Sequence, residues 1–141
     1  MTPSDTAHVL ISRWKTGNVL AADCPSRVIL QHLTSKWGTL VMVTLATGPH
    51  RFAQLRRRIA GVSERMLAQT LQQLEADGFV LRVARDVVPP HVIYSLTPLG
   101  TEAAVPVMAL TGWIEANLSK ICPSPPQSAQ SPVQSALIAV T

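Results

Sequence analysis

The residues with the clearest capacity for chemistry are seven arginines concentrated in the middle of the chain. Residues 51–85 contain these seven arginines and only three acidic residues, so the segment carries a net charge of +4. The residues before it carry +2 and the residues after it carry −2. Because a guanidinium group donates paired hydrogen bonds to phosphate oxygens and to guanine, this pattern favours contact with nucleic acid. For the run Arg56-Arg57-Arg58 alone, an ordinary solvated helix face is the alternative interpretation.

A second residue capable of chemistry is Cys24, which directly precedes Pro25. Proline is favoured at the first position of a helix, so Cys24 is expected near the N-cap, where unpaired N–H groups and the helix dipole favour a thiolate. Arg27, one turn later, is expected to add to this effect. Since oxidants attack thiolates, Cys24 is a candidate redox-sensing residue, with Cys122 as a candidate resolving partner. Burial as a small apolar residue, or a packing role at a dimer seam, is the alternative.

The remaining polar residues show no pattern for catalysis, metal binding or cofactor binding. The four histidines and two cysteines form no pair at ligand spacing and no C-x-x-C motif, so neither a metal site nor a cofactor is expected. A chain of 141 residues with a helical core has little room for a substrate pocket, so no catalytic residue is assigned. A small thiol enzyme built on Cys24 and a histidine is the least favoured alternative. Aromatic residues are too scarce for a surface that stacks single-stranded bases.

Hydrophobic spacing predicts a mainly helical domain that contains one pair of strands. The arginine-rich segment covers a helix over 51–59 and a second helix over 64–77, each with apolar residues on one inner face. Ser63 is expected to cap the second helix, and Gly78 to end it. The strands are predicted over 79–85 and 92–96. The other predicted elements are a short helix over 8–14 in an N-terminal arm (1–23), a helix starting at Pro25, a buried helix over 36–45, a helix over 99–118 kinked at Pro106, and a disordered tail over 119–141.

Two helices joined by a short turn and followed by a β-hairpin predict a winged helix-turn-helix domain over residues 24–118. The second of these helices is expected to enter the major groove of double-stranded DNA with its N-terminal end. Arginine can pair bidentately with guanine there, and glutamine with adenine. The candidate DNA-binding residues are Arg65, Gln69 and Gln72 on the outer face of that helix, Ser63 at its N-terminal end, Arg51 for phosphate, and Arg85 and His91 beside the wing.

An ordered set of short motifs in this chain resembles that of the HxlR-type winged helix-turn-helix regulators. The resemblance extends from about Ala21 to Leu118. The motifs are Cys24-Pro25, Lys36-Trp37, Gly48-Pro49, Arg51-Phe52, Leu55-Arg56, Ser63-Glu64-Arg65-Met66-Leu67, Leu74-Glu75-Ala76-Asp77-Gly78, Val88-Pro89-Pro90 and Tyr94-Ser95-Leu96-Thr97-Pro98-Leu99-Gly100.

The resemblance implies a bacterial transcription factor, either repressor or activator, that binds a near-palindromic DNA operator as a homodimer. The first and last helices would be the added dimerisation helices. Some members of this family are switched by oxidants or electrophiles through a cysteine at the position of Cys24. The chain departs from the family pattern at His91 and Ile93, where a basic and an acidic residue are often found, and at Thr34-Ser35, where two glycines are usual.

The composition and the N-terminal sequence indicate a soluble protein. The first residues lack the basic and apolar regions of a signal peptide, and the apolar stretch over 37–49 is shorter than the roughly 20 residues that cross a bilayer. A cytoplasmic location with reduced thiols and no membrane partner is therefore expected. The apolar fraction of 47% suggests further burial against a partner. A protein-interaction module that uses the apolar last helix without DNA is the main alternative function.

Overall fold

Seven helices and three strands make up the part of the chain that the computed structural model describes, residues 2–14 and 17–123. In chain order they are α1 (Pro3–Ser12), α2 (Pro25–Thr34), α3 (Lys36–Leu45), β1 (His50–Arg51), α4 (Phe52–Arg58), α5 (Glu64–Ala76), β2 (Val80–Arg85), β3 (His91–Leu96), α6 (Pro98–Ala116) and α7 (Leu118–Ile121). Two compact units are distinguished, and the division between them falls inside α6, after Val107. The prediction of a mainly helical domain with a small wing is confirmed.

The core of the first unit is built around α3 and the inner faces of α4 and α5. Val41 and Met42 of α3 are completely buried, as are Leu55 of α4 and Leu67 and Leu74 of α5. The predicted limits of α3, Lys36 to Leu45, coincide with the observed ones. Its burial is one-sided, because Leu40 is exposed whereas Val41 is not. The apolar stripe of α5 therefore holds that helix on the core and turns its opposite face outward.

The sheet is antiparallel with the strand order β1-β3-β2. The hairpin register pairs Val80 with Leu96 and Arg82 with Tyr94, and the short β1 places His50 opposite Tyr94. Both hairpin strands lie within one residue of their predicted limits. The strand β1 was not predicted, and the following helix was expected to begin at Arg51 rather than Phe52. A strand of two residues is too short to show an alternation of apolar and polar residues, so only its pairing with β3 defines it.

The start of α6 is fixed by Thr97 and by a close approach of Gly100 to the backbone of Phe79, the residue before β2. The Thr97 hydroxyl donates to the Gly78 carbonyl at 2.6 Å and accepts from the Gly100 N–H at 2.9 Å. The Thr97 N–H donates to the Phe79 carbonyl at 3.0 Å. The expected cap at Thr97, with Pro98 at the first helical position, agrees with this geometry. The helix continues through Pro106, the residue at which a kink was predicted.

A side-chain contact ties α2 to the end of α5. His32 Nδ1 lies 2.6 Å from Asp77 Oδ2, and both side chains are largely buried. The two residues are separated by 45 positions in the chain, so no local pattern indicates the contact. It joins the helix that begins beside Cys24 to the residue that ends α5.

The N-terminal arm differs from its prediction, because α1 begins at Pro3 and not near His8. The Thr2 hydroxyl accepts from the Asp5 N–H at 3.1 Å, and the Thr2 N–H donates to the Asp5 carboxylate at 3.1 Å. This reciprocal capping box, together with proline at the first helical position, starts the helix five residues earlier than hydrophobic density suggested. The Thr-Pro-x-Asp pattern was the signal available in the sequence.

The C-terminal part was predicted to be a disordered tail from residue 119. Residues 119–121 instead belong to α7, a single helical turn that begins at Leu118. The remainder of the predicted tail, residues 124–141, lies outside the described residues.

Candidate nucleic-acid interface and thiol site

The N-terminal end of α5 is positioned by the short turn that joins it to α4 and that contains two buried apolar residues. Ile59 and Val62 are buried, and Gly61 between them has φ +90°, a conformation that disfavours other residues. The Ser63 hydroxyl accepts from the Met66 N–H at 3.1 Å and so caps the helix. The predicted cap agrees with this contact, and the first turn of α5 is left at the surface.

The outer face of α5 carries the three side chains that were predicted to contact bases. Arg65, Gln69 and Gln72 are all exposed, while the leucines on the opposite face are buried. Their spacing of four and then three residues places them on one stripe along the helix. Gln72 also lines a cleft with Arg82 of β2 and Tyr94 of β3, so it lies at the wing end of the stripe. Arg65 and Gln69 lie nearer the N-terminal end.

Arg51 lies at the junction of β1 and α4. Its backbone N–H donates to Gln54 Oε1 at 2.8 Å, which holds the first turn of α4. Arg51 is exposed, and its guanidinium makes no hydrogen bond or ion pair to any other residue that the structure describes. The side chain is thus available for an external anion.

Arg85 and His91 face each other at the end of the hairpin next to the connecting loop. The register pairs them directly; Arg85 is exposed and His91 is half-buried. The connecting loop contains a cis peptide bond between Val88 and Pro89, and Val88 is fully exposed. These two side chains therefore flank a loop that contains one acidic residue, Asp86, followed by valines and prolines.

The arginine triplet in α4 separates into three different environments. Arg56 Nη1 lies 2.9 Å from Glu64 Oε1 of α5. Arg58 Nη1 lies 2.9 Å from Thr47 Oγ1 and 3.0 Å from His50 Nε2. Arg57 is exposed and forms neither kind of contact within the described residues. The sequence alone gave no reason to treat the three side chains differently, because each partner comes from outside α4.

Cys24 is the N-cap residue of α2, as predicted. Its Sγ lies 2.9 Å from Ser26 Oγ and accepts from the Asn18 N–H at 3.3 Å. These two hydrogen bonds, with the Ser26 hydroxyl contributing most, lower the pKa of the Cys24 thiol, while burial and the nearby Asp23 carboxylate act against them. The local environment thus favours a thiolate.

The expected contribution of Arg27 to the thiolate is not observed. Its guanidinium donates to the carbonyl oxygens of Val19 and Leu20, at 3.2 and 2.8 Å. It is absent from the groups that lower the pKa of Cys24. Ser26 fills this role instead, and the signal for it was its position two residues after the cysteine, where serine hydroxyls often serve local hydrogen bonds. Cys122 is half-buried and lies in the second unit.

Large apolar side chains are exposed on several helices. Neither α1 nor α2 has a buried residue. No helix that the structure describes is both long and apolar enough to cross a membrane. The exposed apolar residues include Val9, Leu10 and Ile11 of α1, Val28, Ile29 and Leu30 of α2, Leu99 and Val105 of α6 in the first unit, and Leu110 and Trp113 of α6 in the second.

Comparison with known proteins places this geometry in a family. The HxlR-like helix-turn-helix family matches residues 32–122. The chain is 57% identical over 112 residues to the HTH-type transcriptional regulator YtfH of Escherichia coli (strain K12), covering 79% of this chain and 89% of that one. Among solved structures, transcriptional regulator YtfH from Salmonella typhimurium is 58% identical with a TM-score of 0.71, covering 74% of this chain and 94% of that chain.

A second solved relative introduces redox chemistry. The redox regulator HypR in its reduced form is 34% identical with a TM-score of 0.63, covering 69% of this chain and 96% of that chain. The fold, the family match and these relatives agree with one another. The chain belongs to the HxlR-like helix-turn-helix family of DNA-binding transcriptional regulators.

Proposed function

We propose that this regulator binds an operator in double-stranded DNA and reads its base sequence through the N-terminal half of α5. The observation that carries the proposal is the division of that helix into two faces. Arg65 and Gln69 stand exposed on one face, while Leu67 and Leu74 anchor the other in the core. Arginine and glutamine have the donor and acceptor geometry for guanine and adenine edges in the major groove. Ser63 at the helix cap and Gln72 at the wing end complete the proposed reading surface.

Contacts to the DNA backbone are proposed for three residues around this helix. Arg51 has an exposed guanidinium at the start of α4, the helix that crosses the backbone in helix-turn-helix proteins. Arg85 and His91, paired next to the wing loop, are suited to phosphate or minor-groove contacts. Such contacts fix the register of the protein on the duplex without reading its sequence.

We also propose that the chain acts as a homodimer. The support is the amount of large apolar surface left exposed on α1, α2 and α6, which exceeds what isolated surface residues explain. A two-fold dimer would present two copies of α5 and would match a near-palindromic operator. The same proposal includes a cytoplasmic location and a regulatory role without catalysis.

Selection of bound duplexes from a random pool tests the operator proposal. Full-length protein is incubated with random duplexes, and the bound fraction is sequenced. A dimer is expected to select two inverted half-sites whose centres are about 10 base pairs, or a multiple of this, apart. A single half-site would contradict the dimer, and recovery of no sequence preference would contradict base reading by α5.

Regulation through Cys24 is part of the proposed function. The support is the hydrogen bonding that favours its thiolate, together with the similarity to a protein named as the redox regulator HypR. Oxidation or alkylation of Cys24 would alter the N-terminal end of α2, and α2 contacts the end of α5 through His32 and Asp77. The expected result is a change in operator affinity on treatment with diamide. Equal sensitivity of the Cys24→Ser variant would contradict the role of this residue.

The thiolate argument itself predicts the effect of Ser26→Ala. The Ser26 hydroxyl is the main cause of the lowered pKa of Cys24, so its removal should raise that pKa toward the ordinary thiol value. At pH 7 the thiolate fraction, and with it the rate of alkylation by iodoacetamide, should fall. The pH–rate profile should shift to higher pH, measured by mass spectrometry in a Cys122→Ser background so that only Cys24 reacts. An unchanged profile would show that Ser26 does not stabilise the thiolate.

A further inference from the structure

We infer that Arg57 is a DNA-phosphate anchor on the cleft between α4 and α5, and that Arg56 and Arg58 are withheld from DNA by contacts inside the protein. The inference rests on the DNA-binding role proposed above and assigns a site within it. Its basis is that three adjacent arginines with the same intrinsic chemistry have three different sets of neighbours. Only one of the three retains an uncommitted guanidinium among the residues described.

Arg58 is withheld because it donates to a ring nitrogen of His50, a buried residue. His50 is buried, and its Nδ1 lies 2.7 Å from the Gly48 carbonyl oxygen. A carbonyl can only accept, so Nδ1 carries the proton and Nε2 is left as an acceptor. Arg58 Nη1 donates to that Nε2 and also to Thr47 Oγ1. Movement of Arg58 toward DNA would take its donor away from this part-buried acceptor, which is unfavourable.

Arg56 is withheld more weakly, by a carboxylate on the neighbouring helix. Its guanidinium pairs with Glu64 at 2.9 Å, and both side chains are at least partly exposed to solvent. Exposed pairs of this kind contribute little to stability. The carboxylate nevertheless offsets the arginine charge at short range and repels an approaching phosphate.

Arg57 lies on the same cleft, whose other lining residues include Ala53, Gly61 and Ser63. With Arg56 and Glu64 compensating each other, Arg57 supplies the net positive charge of the cleft. A planar guanidinium can contact a phosphate through two parallel hydrogen bonds. The position between α4 and the cap of α5 is where a helix-turn-helix meets the DNA backbone.

The salt dependence of binding to a random-sequence duplex of 30 base pairs separates these roles. Each lost phosphate contact makes the slope of log K against log salt concentration shallower by about 1. We expect this change, per bound protomer, for Arg57→Ala, and an unchanged slope for Arg57→Lys. The matched control is Arg58→Ala, which removes the same charge one residue away. It should keep the wild-type slope and lower the melting temperature by about 5 °C, because His50 loses its donor.

Glu64→Gln tests the restraint on Arg56, and here DNA binding is expected to become tighter rather than weaker. Loss of the carboxylate should free Arg56, so that binding at low salt becomes several-fold tighter and the slope becomes steeper by up to about 1 per protomer. Equal loss of slope in Arg57→Ala and Arg58→Ala, or no loss in Arg57→Ala, would overturn the assignment of Arg57. Unchanged or weaker binding by Glu64→Gln would overturn the restraint on Arg56. Wild-type protein without any salt-dependent binding would overturn both this assignment and the DNA-binding proposal.

Discussion

Replacement of Gly100 by alanine is expected to destabilise the domain by about 4 kcal/mol or more, placing it among the exceptional single substitutions. A Cβ at this position would overlap the carbonyl oxygen of Phe79 and lie 2.8 Å from its carbonyl carbon. The obstacle is backbone, so no side-chain rotation relieves it. The same carbonyl accepts from the Thr97 N–H, and the Gly100 N–H donates to Thr97, so α6 cannot move away without breaking its own cap.

The measurement is thermal unfolding followed by circular dichroism, with a fall in melting temperature of about 15 °C or more expected for Gly100→Ala. Gly112→Ala is the matched control within the same helix. A Cβ there meets nothing within 4 Å, so alanine should be neutral or stabilise by up to about 1 kcal/mol through its higher helix propensity. Similar melting temperatures for the two variants would contradict the close approach of α6 to Phe79.

Arg65→Ala is expected to relax the base preference at one position in each half-site. The loss of a bidentate contact to guanine should cost about 1–3 kcal/mol for the preferred base, roughly 5- to 150-fold in Kd. Affinity for duplexes that already carry another base at that position should change far less. Selection from a random pool with the variant, followed by Kd measurement on duplexes that carry each of the four bases at that position, gives the result.

Comparison with Arg51→Ala distinguishes a contact to a base from a contact to a backbone phosphate. Its guanidinium is exposed at the start of α4 and is proposed to contact phosphate, so its removal should weaken all duplexes alike and make the salt slope shallower. Both variants remove one exposed arginine charge, which controls for general electrostatic attraction. If both lowered affinity uniformly, or both relaxed the same base position, the assignment of α5 as the reading helix would be wrong.

Much of the fold could be predicted because it is encoded in short stretches of sequence. The limits of α3 agree with the prediction, and those of α5 and both hairpin strands agree within one residue. In each case the spacing of apolar residues and a local cap, such as Ser63 for α5, carry the information. The exposed stripe on α5 was predicted for the same reason, since burying one face of a helix exposes the other.

Two predictions made from neighbouring residues were wrong: the start of α1 and the group that lowers the pKa of Cys24. The capping box of Thr2 and Asp5 starts α1 at Pro3, ahead of the apolar run that suggested residue 8. At Cys24 the cap position was predicted, but the group that lowers its pKa is Ser26 and not Arg27. Proximity in sequence indicated that Arg27 could reach the thiol, whereas carbonyl oxygens at residues 19 and 20 bind its guanidinium first.

The arginine-rich segment shows the boundary between local and tertiary information. Residue order alone was sufficient to concentrate positive charge over residues 51–85 and to place most of its arginines on two helices joined by a turn. Which of those charges remains free depended on groups brought together by folding: His50 and Thr47 for Arg58, and Glu64 for Arg56. The strand β1 and the contact between His32 and Asp77 have the same origin. Helix limits follow from neighbours along the chain, whereas the availability of a charged side chain follows from neighbours in space.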